Sequence, residues 1–275
     1  MGDEAVIEGL AARLRLPTEV RRATGMGALL ARGPGASLEF HDHRDYQPGD
    51  DPRHLDMAAW ARTGRPVVRR QRAETSPRVE VLLDASRSMG LTPGKQALAV
   101  ALAGLILRLG AAGGARPALW ILGERAHPVG AAWKAALARW RPESAEPGLP
   151  AGLGWGSNRY LVSDGLFREG PAGCVRRLGD GATRLHAWFV RTRDEVQPVP
   201  GGSQRLEDIE GGQADLDTGA EACAAYCARL ARLDGAWEQA LRGRGHLVQV
   251  EAESGIEAAV RRGVAAGMLA WRQGA

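Results

Sequence analysis

At 275 residues, 44% hydrophobic and 25% charged, the chain can bury one large domain, or a domain with a smaller attachment. Its net charge of +4 does not imply a nucleic-acid partner: only Lys95 and Lys134 of the 36 basic residues are lysine, 32 acidic residues are interspersed, and the basic stretches 67–72 and 124–130 carry no stacking aromatics. The longest apolar run, roughly 97–107, is about half a bilayer crossing, MGDEAVIEGL is acidic where a secretory leader is basic, and Cys174, Cys223 and Cys227 suit structural burial rather than a zinc site, so a cytoplasmic protein with no membrane span is expected.

A short amphipathic helix, IEGLAARLRL, opens the chain, and the Gly-rich GMGALLARGPGAS reads as a loop. Residues 37–74 are dense in charge, aromatics and turn residues, too specifically punctuated for a disordered linker. Residues 1–77 are therefore expected to be a helix and an ordered arm packed on a main domain at 78–275. VEVLLD (79–84) has the continuous apolar run of a central parallel strand, and 94–110 is a helix with a broad apolar face. A strand at 115–123, a helix at 131–140, a Pro/Gly-rich loop at 146–157 and the strand RYLVSDG (159–165) follow. Then come a short helix near 173–179, a strand at 183–190, a helix at 220–241, a strand at 246–252 and a closing helix at 256–269. The alternating residues around Gly211 and Gly212 predict a hairpin on the sheet's edge. The alternation defines an α/β fold, a doubly wound, mostly parallel, Rossmann-like sheet with helices on both faces.

In such a sheet the ligand crevice lies beyond the carboxyl ends of the strands. Asp84 ends one strand, with Ser86 and Ser88 at alternate positions after it, and Asp164 ends another. Two carboxylates and two hydroxyls form a hard-oxygen set suited to Mg²⁺ or Mn²⁺. Without an ion, Asp84, Ser86 and Ser88 would cap the next helix and satisfy loop amides.

Asp84, Ser86 and Ser88 resemble the DxSxS signature of the von Willebrand factor A domain, and Ser163–Gly165 resembles the segment carrying the fourth-strand Asp of that family's metal-ion-dependent adhesion site. The resemblance implies a bound Mg²⁺ (or Mn²⁺ or Ca²⁺) with a position open to a partner's Asp or Glu. The family's Thr ligand has no counterpart, since no threonine lies between Thr92 and Thr183 and the loop RAHPVG has no hydroxyl. A further resemblance covers the arm: Arg44, Tyr46, Pro48, Gly49, Asp50, Arg53, Leu55 and Asp56, then Ala61 and Arg62, look like the signature of the DUF58 family, with Met57 where that pattern has Trp. It extends through the strand-end cluster to the helix bearing Tyr226. It implies a non-enzymatic adaptor working with a MoxR-type AAA+ ATPase on client proteins. Arg44, Arg53 or Arg62 would hold Asp50 and Asp56 through forked hydrogen bonds, with a turn at Pro48 and Gly49; Tyr46 completes an arm that is either a structural clasp or a partner surface.

No catalytic constellation stands out. His41 and His43 lack identifiable further ligands, Ser86 and Ser88 lack the GxSxG turn, and there is no nucleotide-binding glycine motif. The alternative to the adaptor is a Mg²⁺-dependent phosphoester hydrolase using Asp84 and Asp164.

Overall fold

The structure, a computed structural model, describes residues 2–17, 38–46, 55–73, 78–130, 132–208 and 212–272. The chain forms two compact units, residues 1–21 with 77–275, and residues 22–76. The N-terminal helix therefore belongs with the α/β unit and not with the arm.

In chain order, the helix α1 (Gly2–Arg13) runs into β1 (Leu14–Arg15). The smaller unit contributes β2 (Leu38–Asp45), α2 (Met57–Thr63) and β3 (Val67–Ala73). The main unit resumes with β4 (Arg78–Asp84), α3 (Pro93–Ala112), β5 (Arg116–Leu122), β6 (His127–Val129), α4 (Trp133–Arg139), β7 (Ser157–Ser163), α5 (Gly170–Gly179) and β8 (Ala182–Arg191). Last come α6 (Arg193–Val196), β9 (Gly202–Asp208), β10 (Gly212–Thr218), α7 (Ala220–Leu241), β11 (Leu247–Glu251), α8 (Gly255–Ala265) and β12 (Ala270–Trp271).

Six strands form one sheet in the order β6-β5-β4-β7-β8-β11, all parallel except β6, which runs antiparallel to β5. The fold class expected from the strand-helix alternation is the one observed. Side chains alternate across the sheet as the two-residue strand period requires. Val81, Leu83, Tyr160, Val162, Trp188 and Val190 face a core shared with α1, α3, α4 and α8. Leu82, Leu161, Ala187 and Phe189 face a second core with α5 and α7.

The chain leaves central β4 toward β5 on one side and later returns to β7 on the other. The connection thus reverses between β4 and β7, which places the crevice at the carboxyl ends of those two neighbours.

Helix α3 starts where Thr92 Oγ1 accepts from Lys95 N at 3.1 Å and Pro93 fills the first helical position. By length and composition it is apolar enough to cross a bilayer, longer than the apolar run alone suggested. Its side chains from Leu98 to Leu109 are instead mostly buried in the core beneath the sheet, so packing accounts for its hydropathy.

Elements that differ from expectation include an edge strand, a helix and a hairpin. RAHPVG is not all loop: His127–Val129 adds an edge strand, where Pro128 is tolerated because one side of an edge strand forms no ladder. The helix read at 131–140 is confined to Trp133–Arg139, since Trp140 is already extended ahead of Arg141–Pro142. The hairpin β9/β10 forms as read, but as a separate two-stranded sheet, not on the edge of the main one.

At the amino end of the sheet, Glu80 and Arg159 are register partners on β4 and β7, both buried. Arg159 Nε donates to Glu80 Oε2 (3.0 Å), and its other nitrogens donate to the carbonyls of Gly154, Leu178 and Asp180 at 2.6–2.8 Å. Glu80 also accepts from Ser157 Oγ and Gly154 N. This ion pair ties the 154–157 loop and the end of α5 to the central strands.

Candidate functional site

The cluster sits at the predicted switch point. Beyond Asp84 the chain turns through a short 3-10 helix, Arg87–Gly90, into α3. That turn is braced by the segment after α4: Ala85 carbonyl accepts from Ser144 N (3.0 Å), and Ser144 carbonyl accepts from Arg87 N (2.8 Å). Ser144 is thereby paired beside Ser86.

The four residues expected to act together do converge. Asp84 Oδ1 accepts from Ser86 N (2.8 Å) and Oδ2 from Ser163 Oγ (2.5 Å). The hydroxyls of Ser86 and Ser88 are 3.1 Å apart, and Ser88 donates to Asp164 Oδ2 at 2.5 Å. Asp164 Oδ1 accepts from Leu166 N. Burial, and then the charge of Asp164, push the Asp84 carboxyl up to about 7, against the hydrogen bonds from Ser163 and Ser86.

Sequence reasoning missed the residue at the centre. Lys95, third residue of α3, is 0% exposed; its Nζ donates to Asp164 Oδ2 at 3.2 Å and to Glu195 Oε1 at 2.7 Å. Glu195 belongs to a capping box after β8, in which Thr192 Oγ1 accepts from Glu195 N and Glu195 Oε2 accepts from Thr192 N. Tyr226 of α7 donates to the Glu195 carbonyl at 2.9 Å. Arg191, at the end of β8, donates twice to the Asp164 carbonyl (3.0 and 2.8 Å) and once to Asp234 Oδ2.

The glycine of Ser163–Gly165 has its own reason. Gly165 has φ +87, and a Cβ there would lie 2.6 Å from the Phe189 ring. Its carbonyl accepts from Trp237 Nε1 at 3.0 Å.

A divalent ion was the expected occupant, and the donors are of the right kind, but the arrangement does not fit one. Both Asp84 oxygens and both Asp164 oxygens already accept protein donors. A Mg²⁺ at its usual distance of about 2.1 Å from Asp164 Oδ2 would stand at most about 5.3 Å from the Lys95 ammonium. At an effective dielectric of about 20, the repulsion between those charges is about 6 kcal/mol. Nor is the socket open: Asp84 and Asp164 are 0% and 1% exposed, so a partner's carboxylate does not reach them here. Both carboxylates therefore lie beneath the surface rather than facing outward. Of the cap-only alternative, the loop-amide part holds for Asp84, whereas Thr92 caps α3.

What the rim does expose lies around the cluster. Leu91, after the 3-10 turn, is 48% exposed, and Leu166, just past Asp164, is 53% exposed. Beside the turn is an open cleft of about 640 Å³ lined by Arg87, Gly90, Gln96, Arg141, Pro142 and Glu143.

In the smaller unit, β2 pairs antiparallel with β3 and carries Arg44, His41 and His43. Asp56 is buried and caps α2, its Oδ1 accepting from Ala59 N at 3.0 Å. Tyr46 is half-buried, with its amide donating to the Pro66 carbonyl, and Arg62 is exposed on α2. Pro48, Gly49, Asp50 and Arg53 lie outside the described residues, as does the turn assigned to them. Cys174 is buried as expected, whereas Cys223 and Cys227 are only half-buried on α7.

The fold and site define a doubly wound α/β unit with a polar cluster locked at its switch point. The family described as "Protein of unknown function DUF58" matches residues 42–139, which takes in the arm, β4, the DxSxS turn, α3 and α4. The uncharacterized proteins Rv1480 of Mycobacterium tuberculosis and Mb1516 of Mycobacterium bovis are each 40% identical over 86 residues, 30% of this chain. The match spans about a quarter (27%) of the length of those relatives. A solved structure, the conserved hypothetical protein BatB from Bacteroides thetaiotaomicron, aligns with 18% identity and a TM-score of 0.35 over 67% of this chain and 94% of that one.

Proposed function

We propose that this protein is a non-catalytic, cytoplasmic interaction module, with a von Willebrand A-like domain, that docks other proteins through the rim over β4 and β7. The partner we assign is a MoxR-type AAA+ ATPase, with which it would assemble or remodel client proteins. The observation that carries the docking reading is the pair Leu91 and Leu166. These are two large apolar side chains left exposed on the loops leaving the two adjacent strands of the switch point, where α/β sheets bind their ligands. The buried polar network behind them holds both loops rigid, which lowers the ordering cost of association. The assignment of the partner rests on the DUF58 resemblance of the arm and turn.

The test is binding of the purified protein to a purified MoxR-type ATPase by biolayer interferometry, with the Leu91→Asp/Leu166→Asp variant beside it. Binding by the wild type and a loss of about tenfold or more in the folded variant are expected, since buried apolar anchors dominate interface energy. Equal binding by both would remove the rim from the interface, and no binding by either would remove this class of partner.

A further inference from the structure

The geometry points to Lys95 as the resident cation of the strand-end site, its ammonium engaging Asp164, one of the two carboxylates expected to hold a divalent metal. The cluster is thus complete without an ion.

Three consecutive strand ends meet at this one charge. Lys95 comes from the connection after β4, Asp164 from the end of β7, and Glu195 from the turn after β8, while Ser88 joins indirectly by donating to Asp164. The ammonium is fully buried and donates to both of the carboxylates that flank it, so it bridges segments 69 and 100 residues away in sequence. Glu195 is aimed at it from the other side, because its second oxygen is engaged by Thr192 N.

The placement runs against local preference, which argues that it is specific. A cation in the first turn of a helix opposes the helix dipole, and burial adds a desolvation cost; both need offsetting by nearby carboxylates. Residue type matters as well. The chain uses arginine almost throughout, with Lys95 and Lys134 alone among its 36 basic residues being lysine. A compact ammonium on a flexible stem sits between two carboxylates as a point charge, closer to a metal ion in size and shape than a planar guanidinium fork. The absent threonine is consistent with this: an ammonium needs no further neutral oxygen ligand to fill an octahedral shell. This inference does not depend on which partner the rim binds.

The experiment is Mn²⁺ binding to chelator-treated, desalted protein, followed by electron paramagnetic resonance of free Mn²⁺, with thermal melting in parallel. The wild type is expected to bind no stoichiometric Mn²⁺ below about 1 mM and to melt at the same temperature with EDTA or Mg²⁺. Lys95→Ala should gain one Mn²⁺ site, at least about a hundredfold tighter than any in the wild type, because the competing charge is gone. Adding Asp164→Asn should abolish that gain. Lys95→Gln, which keeps the length and removes the charge, serves if Lys95→Ala does not fold, and there a gain of Mn²⁺ binding is again expected. Stoichiometric wild-type binding that Asp164→Asn removes would overturn the inference, as would a folded Lys95→Ala or Lys95→Gln protein that binds no more Mn²⁺ than the wild type.

Discussion

Replacing Lys95 by Met removes the ammonium bonded to Asp164 and strands a carboxylate that is 1% exposed. Asp164 keeps Ser88 Oγ and Leu166 N as donors but loses its ion-pair partner. Breaking a buried pair from one side in this way costs about 3–5 kcal/mol, a large part of the 5–15 kcal/mol that holds a typical domain. Asp164→Asn is milder, about 1–3 kcal/mol, since Lys95 retains Glu195 at 2.7 Å. The double variant Lys95→Met/Asp164→Asn leaves neither charge stranded, so its loss should fall short of the two single losses added by about 2 kcal/mol or more. Urea unfolding followed by tryptophan fluorescence is the assay, because Trp188 and Trp237 are fully buried in the two cores. With a slope of about 3 kcal/mol/M, Lys95→Met alone should lower the midpoint by about 1–1.7 M. Additive losses, within about 0.5 kcal/mol, would refute a direct Lys95–Asp164 interaction.

The Glu80–Arg159 pair makes a parallel case at the other end of the sheet: Arg159→Met should destabilise by about 3–5 kcal/mol, and Glu80→Gln/Arg159→Met by less than the sum, in the same unfolding assay. Gly165→Ala combines a positive φ with a Cβ forced against the Phe189 ring, so a loss of about 2 kcal/mol or more and a lower Tm by calorimetry are expected. Burial, and then the charge of Glu169, push the Cys174 thiol up to about 12, so it stays protonated at neutral pH. Mass spectrometry after brief alkylation of the native protein should find Cys174 unmodified and label confined to Cys223 and Cys227.

The sheet was legible because its strands announce themselves. VEVLLD and RYLVSDG are nearly continuous apolar runs ending in carboxylates, and the alternation with helices implies the doubly wound order that makes them neighbours. Convergence of Asp84, Ser86, Ser88 and Asp164 followed from that adjacency. The occupant of the site did not, because Lys95 on a helix reads as an ordinary solvated charge. Its signal was positional: a lysine in the first turn of a helix, against the dipole, demands a nearby acid, and Asp164 was already assigned to the same rim. Glu80 and Arg159 left a similar trace, as single charges inside apolar strands that pair in register. Glu195 is marked in the sequence only as the acid of a capping box, TRDE, because its place beside Lys95 depends on where the turn after β8 lands, which local sequence does not encode.

As proposed, the rim over β4 and β7 is a docking face organised by Lys95 rather than by a metal. The most direct test is the affinity for a purified MoxR-type ATPase, measured in EDTA and in Mg²⁺, for the wild type and for Leu91→Asp/Leu166→Asp. Equal wild-type affinity in both buffers, with loss in the variant, is the predicted result. Wild-type binding that disappears in EDTA, or a variant that binds as well as the wild type, would contradict it.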